Sequence, residues 1–148
     1  MVSTILVPTD GSKIAKNAAK YAIDLAKQLK ATIVVLGVID KRSLMISAMP
    51  AASNIHHVIE PLDDYLREMA EMSAKEITVL CEKNAVKSKV VITTGHPAEE
   101  IIKTATKFKV GLIIMGSRGE SALAATVLGS TTYGVIHNDT KIPVLVVR

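Results

Sequence analysis

The feature that most constrains this chain is a regular alternation of two hydrophobic patterns along its length. Short runs rich in Val, Ile and Leu recur, and the longer segments between them carry apolar residues at every third or fourth position. A run without polar interruptions, such as TIVVLGVI from Thr32 to Ile39, is typical of a strand that is covered on both faces. The alternation predicts an α/β fold, with one mostly parallel sheet, right-handed crossovers and helices on both faces of the sheet.

The same patterns give the approximate ends of each element. Ser12 belongs to a residue type that caps helices, and Pro97 suits the first position of a helix. Residues 40–61 are predicted to form a long irregular connection, which in a compact domain is usually functional or mobile. Without a repeat or a linker, residues 1–148 are expected to form one domain. The predicted strands are 2–7, 32–39, 89–94, 110–115 and 143–147, and the predicted helices are 12–29, 62–84, 97–107 and a last one that ends near 137.

Composition places the chain among ordinary globular proteins. Of its 148 residues, 49% are hydrophobic and 22% are charged, which is enough apolar side chain to build a core. The apolar runs are strand-sized, far below the roughly 18 residues of a membrane-spanning helix. No basic stretch precedes residues 2–7, as a signal peptide would require, and the lone Cys81 cannot form an internal disulfide. We therefore expect a cytoplasmic protein with no membrane partner, in which Cys81 is a packed side chain.

The net charge is basic, but its carriers are spread along the sequence. Eighteen Lys and Arg residues against fourteen Asp and Glu residues give +4. The lysines fall on separate segments, and aromatic residues make up only 3%, so platforms for stacking nucleic-acid bases are scarce. We interpret the lysines as a solvated basic surface and expect no nucleic-acid partner.

A candidate ligand residue follows the first predicted strand. Asp10 comes at the carboxyl end of that strand, directly before a helix. In open parallel sheets ligands bind beyond the carboxyl ends of the strands, where a carboxylate can reach a ribose hydroxyl or a metal ion held by phosphates. Asp is also common in the turns that precede helices, so this segment alone leaves both roles open.

A richer pattern follows the fourth predicted strand. Gly116-Ser117-Arg118-Gly119 is followed, after nine residues, by Gly129-Ser130-Thr131-Thr132. Glycines permit positive φ and let backbone approach a ligand, and Ser130 is predicted to cap the next helix while free N–H groups point at an anion. The three hydroxyls can donate to phosphate oxygens, so the two turns could converge on one polyphosphate. Two ordinary glycine turns with a helix cap are the alternative.

Motifs for several other chemistries are absent from the sequence. There is no G-x-x-x-x-G-K-[ST], no G-x-G-x-x-G after the first strand and no G-x-S-x-G, which disfavours P-loop, dinucleotide-binding and hydrolase sites. His56 and His57 have no carboxylate or thiol at metal-site spacing and are interpreted as surface residues. His96 is expected in a turn, and His137 near a helix C-terminus, where a cation is favoured.

At these residues the sequence resembles the universal stress protein family. The resemblance rests on ILVPTDGS, VID, LIIMGSRG, GSTT and IPVLVVR, which begin at Ile5, Val38, Leu112, Gly129 and Ile142. Its most specific part is the spacing G-x2-G-x9-G-[ST], the nucleotide-binding motif of the members that bind ATP. The resemblance implies a Rossmann-like, open five-stranded parallel sheet with strand order 3-2-1-4-5. It also implies a homodimer through the edge strand at 143–147, which fits the positive mean hydropathy of the chain.

The resemblance implies an ATP site between the first and fourth strands. Pro8, Thr9 and Asp10 would line the adenosine side, the Val38 backbone would hydrogen-bond adenine, and Met115 would pack near the base or ribose. A Mg²⁺ or Mn²⁺ ion would bridge the phosphates, with Asp10 as the one candidate protein ligand. The residues implied to hold the ribose and phosphates are Gly116, Ser117, Arg118, Gly119, Gly129, Ser130, Thr131 and Thr132.

Three functions remain to be separated. The leading hypothesis is an ATP-binding stress or regulatory protein, a nucleotide-dependent switch with at most slow ATP hydrolysis, in which ATP orders the connection at 40–61. The second is a hydrolase or transferase acting on the α-phosphate of adenine nucleotides, although the S-G-G-x-D-S type of motif used by related folds is absent. The third is a dimeric interaction module with an incidental nucleotide site.

Overall fold

Strands and helices alternate along the described parts of the chain, as the hydrophobic patterns predict. The computed structural model describes residues 1–42, 55–118, 128–138 and 140–148, with the backbone alone for 55–60. The strands are β1 (Thr4–Thr9), β2 (Thr32–Ile39), β3 (Ser88–Thr94), β4 (Leu112–Gly116) and β5 (Val144–Val147). The helices described are α1 (Lys13–Leu29), α2 (Ile55–Lys83), α3 (Pro97–Lys107) and α4 (Ser130–His137).

The five strands form one parallel sheet in the order β3-β2-β1-β4-β5. The α/β fold class and the strand order 3-2-1-4-5 are therefore confirmed. The order reverses at β1, because the chain builds outward to β2 and β3 and then returns to place β4 on the other side of β1. This reversal is the kind of position at which open α/β sheets bind ligands.

The core has two layers because consecutive strand residues point to opposite faces of the sheet. On one face Ile5, Val7 and Ile33 pack beneath α1 and α2. On the other face Leu6 and Val34 pack beneath α3 and α4. All five side chains are fully buried, which explains why β1 and β2 read as unbroken apolar runs.

Cys81 and Ser12 take the structural roles that the sequence predicts. The Cys81 side chain is fully buried in the layer under α1 and α2, and this burial raises the pKa of its thiol. The Ser12 hydroxyl accepts a hydrogen bond from the N–H of Ala15 at 3.2 Å and caps the first turn of α1. This cap satisfies one of the amide groups that a helix leaves without partners at its start.

The predicted connection at 40–61 is wrong at both of its described ends. Lys41 and Arg42 are already helical, and α2 begins at Ile55 and continues through Pro61. Pro61 was interpreted as the point from which the helix starts, but a proline removes only one backbone donor and strains one turn, so a helix can continue across it. Residues 43–54 lie outside the described part of the chain.

Two strand ends also differ from their predicted positions. β1 ends at Thr9 and β4 at Gly116, beyond the predicted ends at residues 7 and 115. Hydrophobicity marks where a strand is buried, whereas the ladder continues as long as a neighbouring strand offers hydrogen-bond partners. The motif residues Pro8, Thr9 and Gly116 therefore belong to the strands themselves.

Candidate functional site

The strands β1 and β4 separate before they reach their carboxyl ends. Their paired residues are Ile5 with Leu112 and Leu6 with Ile113. Beyond these pairs β1 stays with β2 as far as Thr9, and β4 stays with β5 as far as Gly116. The carboxyl ends of β1 and β4 are therefore not paired with each other. We call the gap between these two strand ends the crevice, and the motifs predicted to bind a ligand lie on its two sides.

The first wall is the turn between β1 and α1. The Thr9 hydroxyl accepts a hydrogen bond from the N–H of Gly11 at 3.2 Å, and the Asp10 carboxylate accepts one from the N–H of Ser12 at 2.9 Å. Gly11 has a φ of +80°, and a Cβ on it would lie 2.7 Å from the Ser73 hydroxyl oxygen. Asp10 is exposed and has the turn role considered for it.

The second wall joins the two halves of the glycine motif. The N–H of Ser117 donates to the carbonyl of Val147 at 2.7 Å, which ties the end of β4 to β5. The Ser117 carbonyl then accepts a hydrogen bond from the N–H of Gly129 at 2.8 Å. This second bond holds together the two ends of the excursion between the GSRG and GSTT segments. The two turns therefore meet at the end of β4.

A buried side chain of α4 hydrogen-bonds to the end of β4, next to the point where the two halves of the motif meet. The Thr132 hydroxyl donates to the carbonyl of Gly116 at 2.8 Å, and Thr132 is only 3% exposed. Its proton is therefore already used inside the protein. The same bond fixes the first turn of α4 against the end of β4.

Gly116 is required by packing. A Cβ at this position would lie 2.6 Å from Ile14 Cγ2 and 3.3 Å from the carbonyl carbon of Ile14, in the first turn of α1. Its φ does not lie in the positive region. Positive φ, one of the two uses predicted for this glycine, therefore does not apply to Gly116, and close approach to a ligand stays a prediction. The space that the missing Cβ leaves is occupied by Ile14 of α1.

The first turn of α4 carries no side-chain cap. Ser130 is the first residue of the helix, so the prediction that it acts as the cap is wrong, and the cap position belongs to Gly129. Gly129 has φ −61° and ψ 156°, a conformation open to every amino acid, and it brings no side chain to the helix start. Among the described residues, no side-chain oxygen caps the amides of this turn.

The other predicted site residues differ in how they are placed. Val38 is half-buried near the end of β2, and Met115 is 4% exposed within the layer under α3 and α4. Arg118 is half-buried directly after β4. Gly119 lies outside the described residues.

One buried polar group near the carboxyl end of β3 was not predicted from the sequence. Thr93 is paired in register with Val38, and its buried hydroxyl has no hydrogen-bond partner within the described parts of the chain. The signal available in the sequence was two threonines at the end of an otherwise apolar strand.

Metal clusters and membrane-spanning helices are two features for which the described ranges offer no candidate. The described ranges contain no group of three or more His, Cys, Asp or Glu side chains that could hold a metal ion. They also contain no helix with the length and hydrophobicity needed to span a membrane. The side chains of His56 and His57 are not among those described.

The fold and the crevice define a class, that of open parallel α/β proteins with a candidate site at the reversal of strand order. Within that class the family model described as "Universal stress protein family" matches residues 1–148, and this chain belongs to that family.

Individual relatives agree with this assignment. The chain is 36% identical to universal stress protein MJ0577 of Methanocaldococcus jannaschii, over all of this chain and 96% of the relative. It is 35% identical to MJ0531 of the same organism, over 97% of this chain and 81% of the relative. A solved structure of MJ0577 superposes with a TM-score of 0.84 over 99% of this chain and 96% of the other, at 34% identity.

A more distant structure shares the fold alone. It is a universal stress protein from Archaeoglobus fulgidus, solved in complex with dAMP. It matches at a TM-score of 0.67 and 14% identity, over all of this chain and 98% of the other.

Proposed function

We propose that this universal stress protein binds ATP in the crevice between β1 and β4 and acts as a nucleotide-dependent regulatory switch in the stress response. One observation carries the proposal. The start of α4, which has no side-chain cap among the described residues, is hydrogen-bonded to the end of β4 through Ser117 and Gly129, and this supports a phosphate site there. Amides at a helix start bind phosphate groups, and the A. fulgidus relative was solved with an adenine nucleotide.

The contacts proposed for ATP follow the two walls. The base and ribose lie on the side of β1 and β2, against Pro8, Thr9, Asp10, the Val38 backbone and the edge of Met115. The phosphates lie on the side of β4 and α4. Thr132 is left out of the proposed contacts, since its hydroxyl proton is held by the Gly116 carbonyl. The proposed ribose and phosphate contacts are Gly116, Ser117, Arg118, Gly119, Gly129, Ser130 and Thr131.

A divalent ion fits this site only as a companion of the phosphates. Among the residues proposed to line it, Asp10 carries the one carboxylate, and the described residues hold no cluster of three potential metal ligands. Mg²⁺ is commonly bound through one or two carboxylates together with substrate phosphates and water. Asp10 would hold such an ion, whose charge would offset that of the phosphates.

Hydrolysis is proposed to be slow at most. The motif contains no lysine to meet a γ-phosphate, and neither of its halves supplies a carboxylate or histidine to orient water. The switch is then the difference between the empty and the ATP-bound protein. Hydrogen exchange over residues 41–61, with and without ATP, measures whether binding orders this part of the chain, including residues 43–54 between its two helical ends. Identical exchange in the two states would contradict the ordering of this segment by ATP.

Gly129→Ala tests the site itself. Because the backbone of Gly129 is open to every residue, a methyl group there should leave the fold intact and obstruct the phosphates. We expect ATP affinity, measured by calorimetry with Mg²⁺, to fall by about tenfold or more, which corresponds to about 1.4 kcal/mol. Gly111→Ala is the matched control, since its added Cβ would be in ordinary contact with Val2, 3.4 Å away. Equal affinities of the two variants would refute the site.

The natural ligand can be identified on the purified chain. It has three Tyr and no Trp, so a bound nucleotide would dominate the ultraviolet absorbance. Chromatography of an acid extract then distinguishes ATP, which supports the switch, from ADP or AMP, which supports turnover. An extract without nucleotide, combined with no ATP binding by calorimetry, would favour the interaction module.

We also propose that the protein is a cytoplasmic homodimer that pairs through β5. This strand is at the edge of the sheet, and its four residues are half-buried in the single chain. An apolar edge strand of this kind is usually paired or covered. Light scattering of the full chain at micromolar concentration gives the mass directly, and a monomer would contradict the proposed dimer. The lone, buried Cys81 is consistent with a reducing compartment.

A further inference from the structure

The lysines that are dispersed along the sequence converge at one edge of the folded chain. Parallel strands start at the same edge of the sheet, and helices α1, α2 and α3 end there. Within the described residues, eight lysines lie in the last turns of these helices, in the connections that lead into strands, or at the start of β3. They are Lys27, Lys30, Lys83, Lys87, Lys89, Lys107, Lys109 and Lys141. We call this set the lysine edge.

The lysine edge extends across most of the sheet. Lysines precede β2, β3, β4 and β5, the strands on both sides of β1. With adjacent strands about 4.8 Å apart, the row from β3 to β5 spans about 19 Å. Lysines at the ends of α1 and α2 extend the edge beyond one face of the sheet, and those at the end of α3 extend it beyond the other. The result is a two-dimensional patch.

The positive charge of this patch is not neutralised within the described residues. All eight lysines are exposed, and every described ion pair involves other basic residues. Lys27 donates to the Asn84 side chain at 3.3 Å, while Lys89 and Lys107 lie over the Phe108 ring, 4.1 and 5.8 Å from its centre. Glu82 is the one acidic residue described in the last turns of α1–α3 and the connections into the strands, and the sequence adds Asp139 in the connection into β5, so these segments carry two acidic residues against eight lysines.

Complementing helix dipoles accounts for only part of this charge. The C-terminus of a helix carries about half a negative charge, so three helices contribute about −1.5. Eight lysines and Glu82 far exceed that. Without these eight lysines the chain has ten basic and fourteen acidic residues, a net charge of −4. The molecule is therefore strongly polarised, with a basic edge on an otherwise acidic protein.

We infer that the lysine edge docks on a planar anionic lipid surface, which replaces the expectation that the chain has no membrane partner. Its extent in two directions matches a plane, and lysines attract such a surface as diffuse point charges, with their stems free to adjust. A nucleic acid fits less well. The edge contains no arginine for bidentate contacts with phosphate or guanine, the helix starts that bind phosphates are at the opposite edge, and the Phe108 ring is already covered by lysines.

This orientation leaves the crevice facing away from the lipid. The two edges are separated by the length of the strands, and β2 with eight residues spans about 26 Å. Electrostatic interactions decay over about 8 Å at physiological salt, so charge bound in the crevice would barely affect docking. Lipid docking at the lysine edge is therefore expected to be independent of nucleotide binding in the crevice, and the two proposals are tested separately.

Vesicle binding by the full chain tests the inference. The probe is phosphatidylcholine vesicles with and without about 30% phosphatidylserine, in about 0.1 M salt. The edge variant changes Lys83, Lys87, Lys109 and Lys141 to Gln. These four lysines make no described side-chain contacts, so their loss should not disturb the fold. The control variant changes Lys13, Arg67, Lys75 and Arg148 to Gln, exposed residues in the first turn of α1, in the body of α2 or after the end of β5. Each variant loses four positive charges, so net charge is matched.

The expected result is binding that requires phosphatidylserine and is lost at about 0.5 M salt. Each edge lysine contributes about fivefold, so the edge variant should bind at least 50-fold more weakly, and the control should stay within about threefold. Absence of wild-type binding, or equal losses in both variants, would overturn the inference. So would displacement of the vesicles by a short DNA duplex that binds through the same lysines. If the fourfold edge variant folds poorly, the double variant Lys83→Gln with Lys141→Gln should still bind about 25-fold more weakly than the wild type, and unchanged binding by it would overturn the inference.

Discussion

Gly116→Ala separates a packing role of the first motif glycine from a role in ligand approach. The added Cβ would lie 2.6 Å from Ile14 Cγ2, whereas carbon atoms in good contact are about 3.5–4.0 Å apart. The groups must therefore move apart by about 1 Å. Ile14 cannot yield easily, because a β-branched side chain in a helix has one strongly preferred rotamer and its carbonyl carbon is itself 3.3 Å from the new atom.

Overpacking of this kind costs about 1–3 kcal/mol, and for a domain of this size each kcal/mol lowers Tm by about 2–4 °C. We expect Gly116→Ala to reduce the free energy of unfolding by that amount in urea titrations without ligand. Ile14→Ala removes the clashing Cγ2, so the double variant should be more stable than the sum of the single effects predicts, by about 1 kcal/mol. A Gly116→Ala protein as stable as the wild type would refute the packing explanation.

Three further predictions concern single side chains. Thr132→Val leaves the Gly116 carbonyl without its buried hydrogen-bond donor and should lower the free energy of unfolding by about 1–3 kcal/mol. An unchanged urea midpoint would contradict a stabilising role of this hydrogen bond. Ser12→Ala removes the cap of α1 and should cost about 1 kcal/mol in the same titration, and Ser12→Thr should largely retain it. Burial raises the pKa of the Cys81 thiol above its ordinary 9.0, so the unfolded chain loses this proton first and stability should fall as pH rises above about 9. That part of the pH dependence should disappear in Cys81→Ala, and a loss of stability with the same slope in both proteins would contradict it.

The fold was largely predictable because it depends on periodicity, which a sequence displays directly. Unbroken apolar runs such as 32–39 require cover on both faces, and this requirement determined the fold class. The order of the strands came from the family resemblance, since no local pattern records which strands are neighbours. The start of α2 was missed because Pro61 signals a possible beginning, while packing of the later turns on the sheet decides where a helix actually forms.

The site was predictable in its location and less so in its details. The turns after β1 and β4 meet at one crevice because parallel topology brings their ends to the same edge. The reason for Gly116 could not be read from the sequence, since it depends on where Ile14 comes to lie. The lysine edge was not predicted for the same reason. Residues as far apart in sequence as Lys30 and Lys141 lie on one surface only because the crossovers return each strand to the same edge of the sheet.

The crevice also lies beside the pair of neighbouring strands with the fewest paired residues in the sheet. Two residue pairs join β1 to β4, whereas six join β1 to β2 and seven join β2 to β3. The sheet therefore has two parts, β3-β2-β1 and β4-β5, which are joined by these two residue pairs and by α1, which contacts strands of both parts. A ligand that binds the folded chain in this gap and not the unfolded chain stabilises the fold by about 2.7 kcal/mol at a concentration 100 times its Kd. Thermal denaturation is therefore a sensitive reporter of occupancy, and screening of candidate ligands can begin with melting temperatures.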